Sequence, residues 1–259
     1  MSRQNNTHQK ENEKIINLVE IFMYLAFRWK WFVLSVLLFA GYSLYSFYKA
    51  PLVYSRSAKV IIKDTEKSQS LARMTRSSYY TNPSNVSSEI LQFKSKELMR
   101  KAIDRLHADV SYTVKDKLRF KELYQESPVA VSLLDVHADS VVTLTVVPKN
   151  EKHVRVFGVL MGMQFDKRVN IGDTLHTPVG RLVVEALKNY VPSAFDKEIK
   201  VTKHSREDTM EYFLANLKVT QPDEEAPVLR IMISDYSSKR AEDMVNMLVA
   251  LFNEDAVED

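Results

Sequence analysis

The side chains that carry catalytic or metal-binding chemistry are scattered along this sequence. No two histidines stand at the spacing that places metal ligands on one helix face. The six histidines are His8, His107, His137, His153, His176 and His204. The five glycines form no phosphate-binding loop, and the absence of cysteine leaves the chain without a thiol nucleophile or a disulfide. We therefore predict no catalytic site, no cofactor and no metal.

Two polar segments are weaker candidates for ligand binding. Residues 223–225, Asp-Glu-Glu between two prolines, could hold a cation, although a solvated acidic loop has the same composition. Residues 73–80 combine basic and aromatic side chains that could bind an anionic glycan, although a basic polar loop usually has no specific ligand. These side chains are Arg73, Arg76, Tyr79 and Tyr80.

One apolar stretch dominates the N-terminal part of the chain. Residues 31–48, WFVLSVLLFAGYSLYSFY, carry no charge and are flanked by Lys30 and Lys49. As a helix this stretch would be roughly 27 Å long, about the thickness of the hydrocarbon core of a bilayer. We predict one transmembrane helix; a buried helix of a soluble domain is the alternative. The aromatic residues predicted to lie at the two membrane interfaces are Trp29, Trp31, Tyr45 and Tyr48.

The length and net charge of the chain limit its domain organisation and its possible partners. The chain has 259 residues, enough for one anchor and one globular domain, and its net charge of +3 argues against a nucleic-acid partner. Residues 1–14 are predicted to be a disordered leader, and residues 15–50 an amphipathic lead followed by the transmembrane helix. An extension of the spanning helix is the alternative for the lead. The apolar stripe of that lead is Ile15, Leu18, Val19, Phe22 and Ala26. Residues 51–259 are predicted to form the globular domain, and the basic residues on the two sides of the span do not decide its orientation.

Alternating short strands and segregated helices predict an α+β domain with a mixed or mainly antiparallel sheet. Predicted strands cover residues 57–63, 129–134, 140–147, 154–165, 181–184 and 228–234, with turns at Gly172 and Gly180. Residues 64–85 read as a long loop. Helices are predicted around residues 86–93 and after the N-caps Ser95, Ser205 and Ser238.

The last predicted helix has an apolar face and no Gly or Pro to end it. Either the sheet of its own domain covers this face, or a second copy of the chain does. The candidate oligomer surface is Met244, Leu248 and Leu251. We also expect the chain to be truncated before a second span.

Several segments, in this order around one span, resemble the N-terminal domain of the polysaccharide chain-length determinants, the Wzz-like co-polymerases. They are INLVE (16–20), RWKW (28–31), YSRSAKVII (54–62) and EILQFKSKEL (89–98). Three further segments are similar to members that precede a cytoplasmic tyrosine autokinase. They are ELYQESP (122–128), TPVG (177–180) and AEDMVN (241–246). The nucleotide loop and tyrosine cluster of that kinase are absent, although a longer parent chain could carry them.

The resemblance implies a cytoplasmic N-terminus and a periplasmic domain in a bacterial inner membrane. It implies a non-enzymatic scaffold that regulates the chain length or export of an O-antigen, capsule or exopolysaccharide. The implied partners are membrane lipid, further copies of the chain in a homo-oligomeric ring, the polymerase or export machinery, and the glycan. A single-span extracytoplasmic sensor or adaptor that binds a small ligand is the alternative.

Overall fold

The computed structural model describes residues 23–24, 27–62, 83–223, 226 and 228–258. The chain divides into two compact units, Met1–Ala50 and Pro51–Asp259. In the first unit, helix α1 covers Trp29–Lys49. Lys49 is its last residue, and the backbone of the next residue, Ala50, is extended because the following proline disfavours the helical conformation. The residues of the predicted amphipathic stripe lie outside the described part of the chain.

The second unit is built from strands and helices, so the predicted α+β class is confirmed. Its strands are β1 (Tyr54–Ile61), β2 (Val110–Asp116), β3 (Arg119–Glu122), β4 (Val129–Leu134), β5 (Val142–Pro148), β6 (His153–Leu160), β7 (Met163–Asn170), β8 (Thr174–Thr177), β9 (Gly180–Ala186), β10 (Ile199–Lys203), β11 (Leu217–Thr220) and β12 (Val228–Asp235). Its helices are α2 (Pro83–Phe93), α3 (Lys96–Leu106), α4 (Arg206–Asn216) and α5 (Ser238–Glu258).

Strands β1, β12 and β11 form an antiparallel sheet in that order, and all four helices of the second unit contribute to the core beside it. The central strand is β12, in which Leu229, Ile231 and Ile233 are fully buried, as their alternation predicts. Phe93 of α2 stacks on Phe252 of α5 with ring centroids 4.2 Å apart. We call this part the α/β layer.

Serine side chains begin three of these helices. The hydroxyl of Ser95 accepts a hydrogen bond from the Glu97 N–H at 3.2 Å, and both predicted caps Ser95 and Ser205 are confirmed. The prediction for Ser238 is wrong by one residue, because the Arg240 N–H donates to the hydroxyl of Ser237 instead. The hydroxyl of Ser238 accepts hydrogen bonds from the guanidinium of Arg56, on β1.

Residues 110–203, between α3 and α4, form a module of two antiparallel sheets, which we call the β module. One sheet has the order β3-β2-β10-β5-β6-β7 and the other β4-β9-β8. Val142, Leu144 and Val146 of the larger sheet share one buried core with Leu182 and Val184 of the smaller one. The two sheets therefore bury their apolar faces together.

Some predictions about the β module need correction. The single strand predicted at residues 154–165 is a hairpin of β6 and β7, turned by Met161 and Gly162 with positive φ angles. Strands β2, β3, β10 and β11 were not predicted. Gly180 closes a turn, as predicted, and has a φ of +141°. No Cβ fits at this position, because it would lie 2.7 Å from the carbonyl oxygen of Leu134. Most of the predicted loop 64–85 lies outside the described residues, and α2 begins at Pro83.

Candidate functional site

Helix α1 has the length and composition to span a membrane. Its 21 residues extend over about 31 Å, and none of them is buried within the described structure. The apolar stretch predicted from the sequence lies inside this helix. It is the one candidate span among the described residues.

Aromatic side chains mark both ends of α1. Trp29 and Trp31 lie in its first turn and Tyr45 and Tyr48 in its last two turns, and each is more than half exposed. The Lys49 ammonium lies 5.9 Å from the centroid of the Tyr45 ring. Indole and phenol rings prefer the membrane–water interface because one end is apolar and the other polar. Their position at a lipid interface stays a prediction.

A buried ion pair lies where β12 turns into α5. Arg240 is about 5 % exposed, and its Nε and Nη2 donate to the two carboxylate oxygens of Asp235 at 2.7 and 2.9 Å. Asp235 is fully buried and also accepts from the hydroxyl of Tyr212 and the N–H of Ser237. Burial opposes the charge on Arg240, but the hydrogen bonds and charge of Asp235 raise its pKa above the usual value. The pair is therefore charged and well satisfied.

Glu122 brings the β module to this ion pair. Its Oε1 lies 3.7 Å from Nη1 of Arg240 and accepts from the N–H groups of Tyr112 and Tyr124. Burial raises the pKa of Glu122, and the nearby positive charge of Arg240 opposes that rise. The carboxylate thus joins the strands of the β module to helix α5.

Two segments that carried the family resemblance meet at the same place. Residues 122–128 contribute Glu122 and Gln125, and the amide of Gln125 donates to Asp243 of α5 at 2.8 Å. Asp243 belongs to the segment 241–246, which Arg240 directly precedes. We call Glu122, Asp235 and Arg240, with these neighbours, the junction cluster.

A cavity of about 410 Å³ adjoins the junction cluster, lined by Glu122, Arg240, Ser111, His204 and Tyr212 among others. The hydroxyl of Ser111 lies 3.0 Å from Nε2 of His204, a pairing that nucleophilic catalysis also uses. Burial lowers the pKa of His204, and the charge of Arg240 lowers it further. Ser111 also contacts the carbonyl of Thr202 on β10, so its hydroxyl bridges neighbouring strands. Within the described residues, no hydrogen bond joins this histidine to an orienting carboxylate.

The other residues with predicted chemistry do not converge. Among the described residues, no three His, Asp or Glu side chains form a metal-binding group. Asp223 is the described residue of the acidic segment 223–225, and the basic and aromatic side chains of residues 73–80 lie outside the described part of the chain. The expected absence of a metal, a cofactor and a catalytic site stays a prediction.

The candidate oligomer surface on α5 is covered by the chain itself. Met244 and Leu248 are 0 % exposed and Leu251 is 1 % exposed, in one core with the sheet of the α/β layer and with α3. The predicted oligomer surface needs correction, because these three side chains form no open surface in this structure. The sheet of their own domain covers these three side chains, which is the alternative that the sequence left open.

The junction cluster could not be predicted from local patterns in the sequence. Its contacts join residues that are far apart in the sequence, such as Gln125 and Asp243 at a separation of 118 positions, so no local spacing shows them. One signal was present: Arg240 precedes Met244 by four residues and therefore shares the buried face of α5. A charge on an apolar helix face requires a buried partner.

The fold and site define a chain with one candidate membrane span followed by an α+β unit. Residues 14–106 match the family model described as Wzz, chain length determinant protein. The resemblance inferred from the sequence is therefore confirmed over these residues, which end with helix α3. No curated protein matches the chain. The match and helix α1 together indicate a membrane-anchored protein with a chain-length-determinant role in polysaccharide biosynthesis.

Proposed function

We propose that this chain is a non-enzymatic scaffold of a bacterial inner membrane that regulates the length or export of a cell-surface polysaccharide. The observation that carries the proposal is the chain-length-determinant match over residues 14–106, which includes α1. In this proposal the N-terminus is cytoplasmic and residues 51–259 are periplasmic. Copies of the chain associate beside the polymerase or export machinery, and the glycan is an O-antigen, a capsule or an exopolysaccharide.

The junction cluster supports a scaffold role. A buried arginine whose donors are taken up by Asp235 and directed toward Glu122 has little capacity left for a substrate anion. The junction cluster joins Glu122 of the β module, Asp235 at the end of β12 and Arg240 of α5, so it fixes these elements relative to one another. A scaffold needs such a fixed relation between its parts more than it needs a reactive group.

The length distribution of the glycan tests the proposed function. We expect deletion of the gene to change the modal length of one surface polysaccharide on gels, and the full chain to restore it. A Leu37→Arg/Leu38→Arg variant should not restore it, because each arginine at the centre of a spanning helix costs roughly 2.5–3.5 kcal/mol. Leu91→Arg is the matched control, since Leu91 is 69 % exposed on α2. An unchanged glycan after deletion would contradict the proposal.

The proposed orientation has its own test. Protease added to spheroplasts should digest residues 51–259 and spare an N-terminal tag. Protection of the globular domain would refute the periplasmic location without affecting the family match.

A small-ligand sensor is the second candidate function, and the cavity of about 410 Å³ beside the junction cluster favours it. A sensor predicts that a periplasmic extract contains a small molecule that raises the melting temperature of the full chain. It also predicts that gene deletion leaves glycan length unchanged. The two functions therefore give opposite results on the same gel.

A further inference from the structure

The hairpin of β2 and β3 presents basic and apolar side chains together at its tip. Residues 115–121 read KDKLRFK, with four basic residues and one acidic residue. Arg119 faces Asp116 across the hairpin and Phe120 faces Lys115. Leu118 and Phe120 are 56 % and 59 % exposed. Exposed leucine and phenylalanine surrounded by lysines are unusual on a soluble surface, where large apolar side chains cost free energy in water.

This hairpin lies beside the residues that lead out of the membrane anchor. A cavity of about 420 Å³ is lined by Leu52 and Tyr54 together with Arg119 and Phe120 of the hairpin. Leu52 follows Lys49, the last residue of α1, by only three positions in the sequence. Leu52 and its neighbour Val53 are themselves more than half exposed. The end of the domain that the chain enters from its anchor therefore carries both the hairpin and an apolar strip.

We propose that the tip of the β2–β3 hairpin docks on the anionic surface of the bilayer that α1 anchors. Lysine and arginine attract acidic lipid headgroups, and leucine and phenylalanine enter the boundary between headgroups and acyl chains. The bilayer is the occupant that chain connectivity holds within reach of this surface. The contact makes the orientation of the domain on the membrane depend on the lipid composition.

Two of the four basic residues, Lys115 and Lys117, carry the attraction. Lys121 is paired with Glu126 at 2.7 Å, which partly neutralises it. Lys239, which also lines this cavity, is held by Asp243 and Glu242. The charges on Lys115 and Lys117 remain against the carboxylate of Asp116 at the tip of the hairpin. The net charge of the tip is therefore positive, as docking to an anionic surface requires.

The absence of cysteine allows a direct measurement on the full chain. A Leu118→Cys variant labelled with an environment-sensitive fluorophore is reconstituted in vesicles of phosphatidylcholine, with or without phosphatidylglycerol. Lipid-borne spin labels should quench the probe, more strongly when phosphatidylglycerol is present. Met161→Cys is the matched control, because Met161 is 76 % exposed at the tip of the β6–β7 hairpin. Equal quenching at the two positions would overturn the proposal.

A second arm tests the charge. Lys115→Gln/Lys117→Gln should lower the lipid-contacting population of the Leu118 probe by about fivefold for each charge removed. Lys167→Gln/Arg168→Gln, on the exposed part of β7, should leave it unchanged. If inorganic phosphate shifts the probe spectrum as strongly as phosphatidylglycerol does, without quenching by lipid, the surface binds soluble anions and the proposal fails. These results are independent of whether the chain regulates glycan length.

Discussion

Replacing Arg240 by methionine should destabilise the domain severely. The guanidinium is the cation of the junction cluster, and it gives two hydrogen bonds to Asp235, which is fully buried. Without it, Asp235 keeps only the hydroxyl of Tyr212 and the N–H of Ser237, while Glu122 loses its nearby positive charge. Two buried carboxylates would then remain without a counter-charge.

Breaking a buried pair by removing one partner costs about 3–5 kcal/mol, against a total stability of about 5–15 kcal/mol. For a domain of this size the loss corresponds to a fall of about 10 °C in the melting temperature. We expect it in urea and thermal unfolding of the full chain in detergent micelles, followed by near-ultraviolet circular dichroism. The control is Arg181→Met, which breaks an exposed pair with Asp135 and should leave the melt unchanged.

A double variant distinguishes two effects, the loss of the ion pair and the burial of Asp235 without a counter-charge. Arg240→Met/Asp235→Leu should recover part of the stability, because no unpaired aspartate remains. If Arg240→Met alone unfolds within about 1 kcal/mol of the unmodified chain, the carboxylates are not isolated by its removal, and our account of the junction cluster is wrong.

Three further variants test other parts of the fold. The folded-state pKa of Glu122 is raised above 4.5, so its contribution to stability is present below that pH and is lost as the pH rises through the raised value. In urea titrations Glu122→Gln should therefore gain stability relative to the unmodified chain between pH 4.5 and neutrality. A difference in unfolding free energy that does not change with pH would contradict this. Gly180→Ala should lower the unfolding free energy by about 2–3 kcal/mol, because it adds a clash to positive-φ strain. Gly172→Ala, with φ +85° and open space, should lose only about 1 kcal/mol. Leu248→Glu should prevent stable folding because it buries an unpaired charge, whereas Leu91→Glu on the exposed face of α2 should change the melt by less than about 0.5 kcal/mol. A folded Leu248→Glu chain of reduced oligomer mass would instead restore the subunit-contact hypothesis.

Elements with strong local signals were predictable from the sequence. β12 has a regular alternation of apolar residues, and α3 has both an apolar stripe and the Ser95 cap. β10 was missed because its buried face includes Lys203, whose ammonium is satisfied by the carbonyl of Ala138. The β2–β3 turn was missed because Lys117 and Leu118 stand where Gly or Asn would be expected, with Lys117 at φ +54°.

The site was less predictable than the fold. The membrane helix and its aromatic ends depend on residues close together in the sequence, and the chain shows them directly. The junction cluster depends on Glu122 meeting Asp235 and Arg240, and only the packing of the β module on the α/β layer produces that contact. Burial of Met244 and Leu248 likewise follows from sheet packing, because an apolar stripe does not specify what covers it.

The insertion of the β module between α3 and α4 sets an order of folding. All pairings of the module lie within residues 110–203, so it can complete its sheets as soon as that segment has been synthesised. In contrast, β1 pairs with β12 between Tyr54 and Asp235 and between Ile61 and Val228, across roughly 170 residues. Such distant pairings form slowly because a long loop must close first. Strand β1 thus stays unpaired until residues 228–235 have been synthesised, and this interval is when a nascent chain is most exposed to aggregation and to proteases.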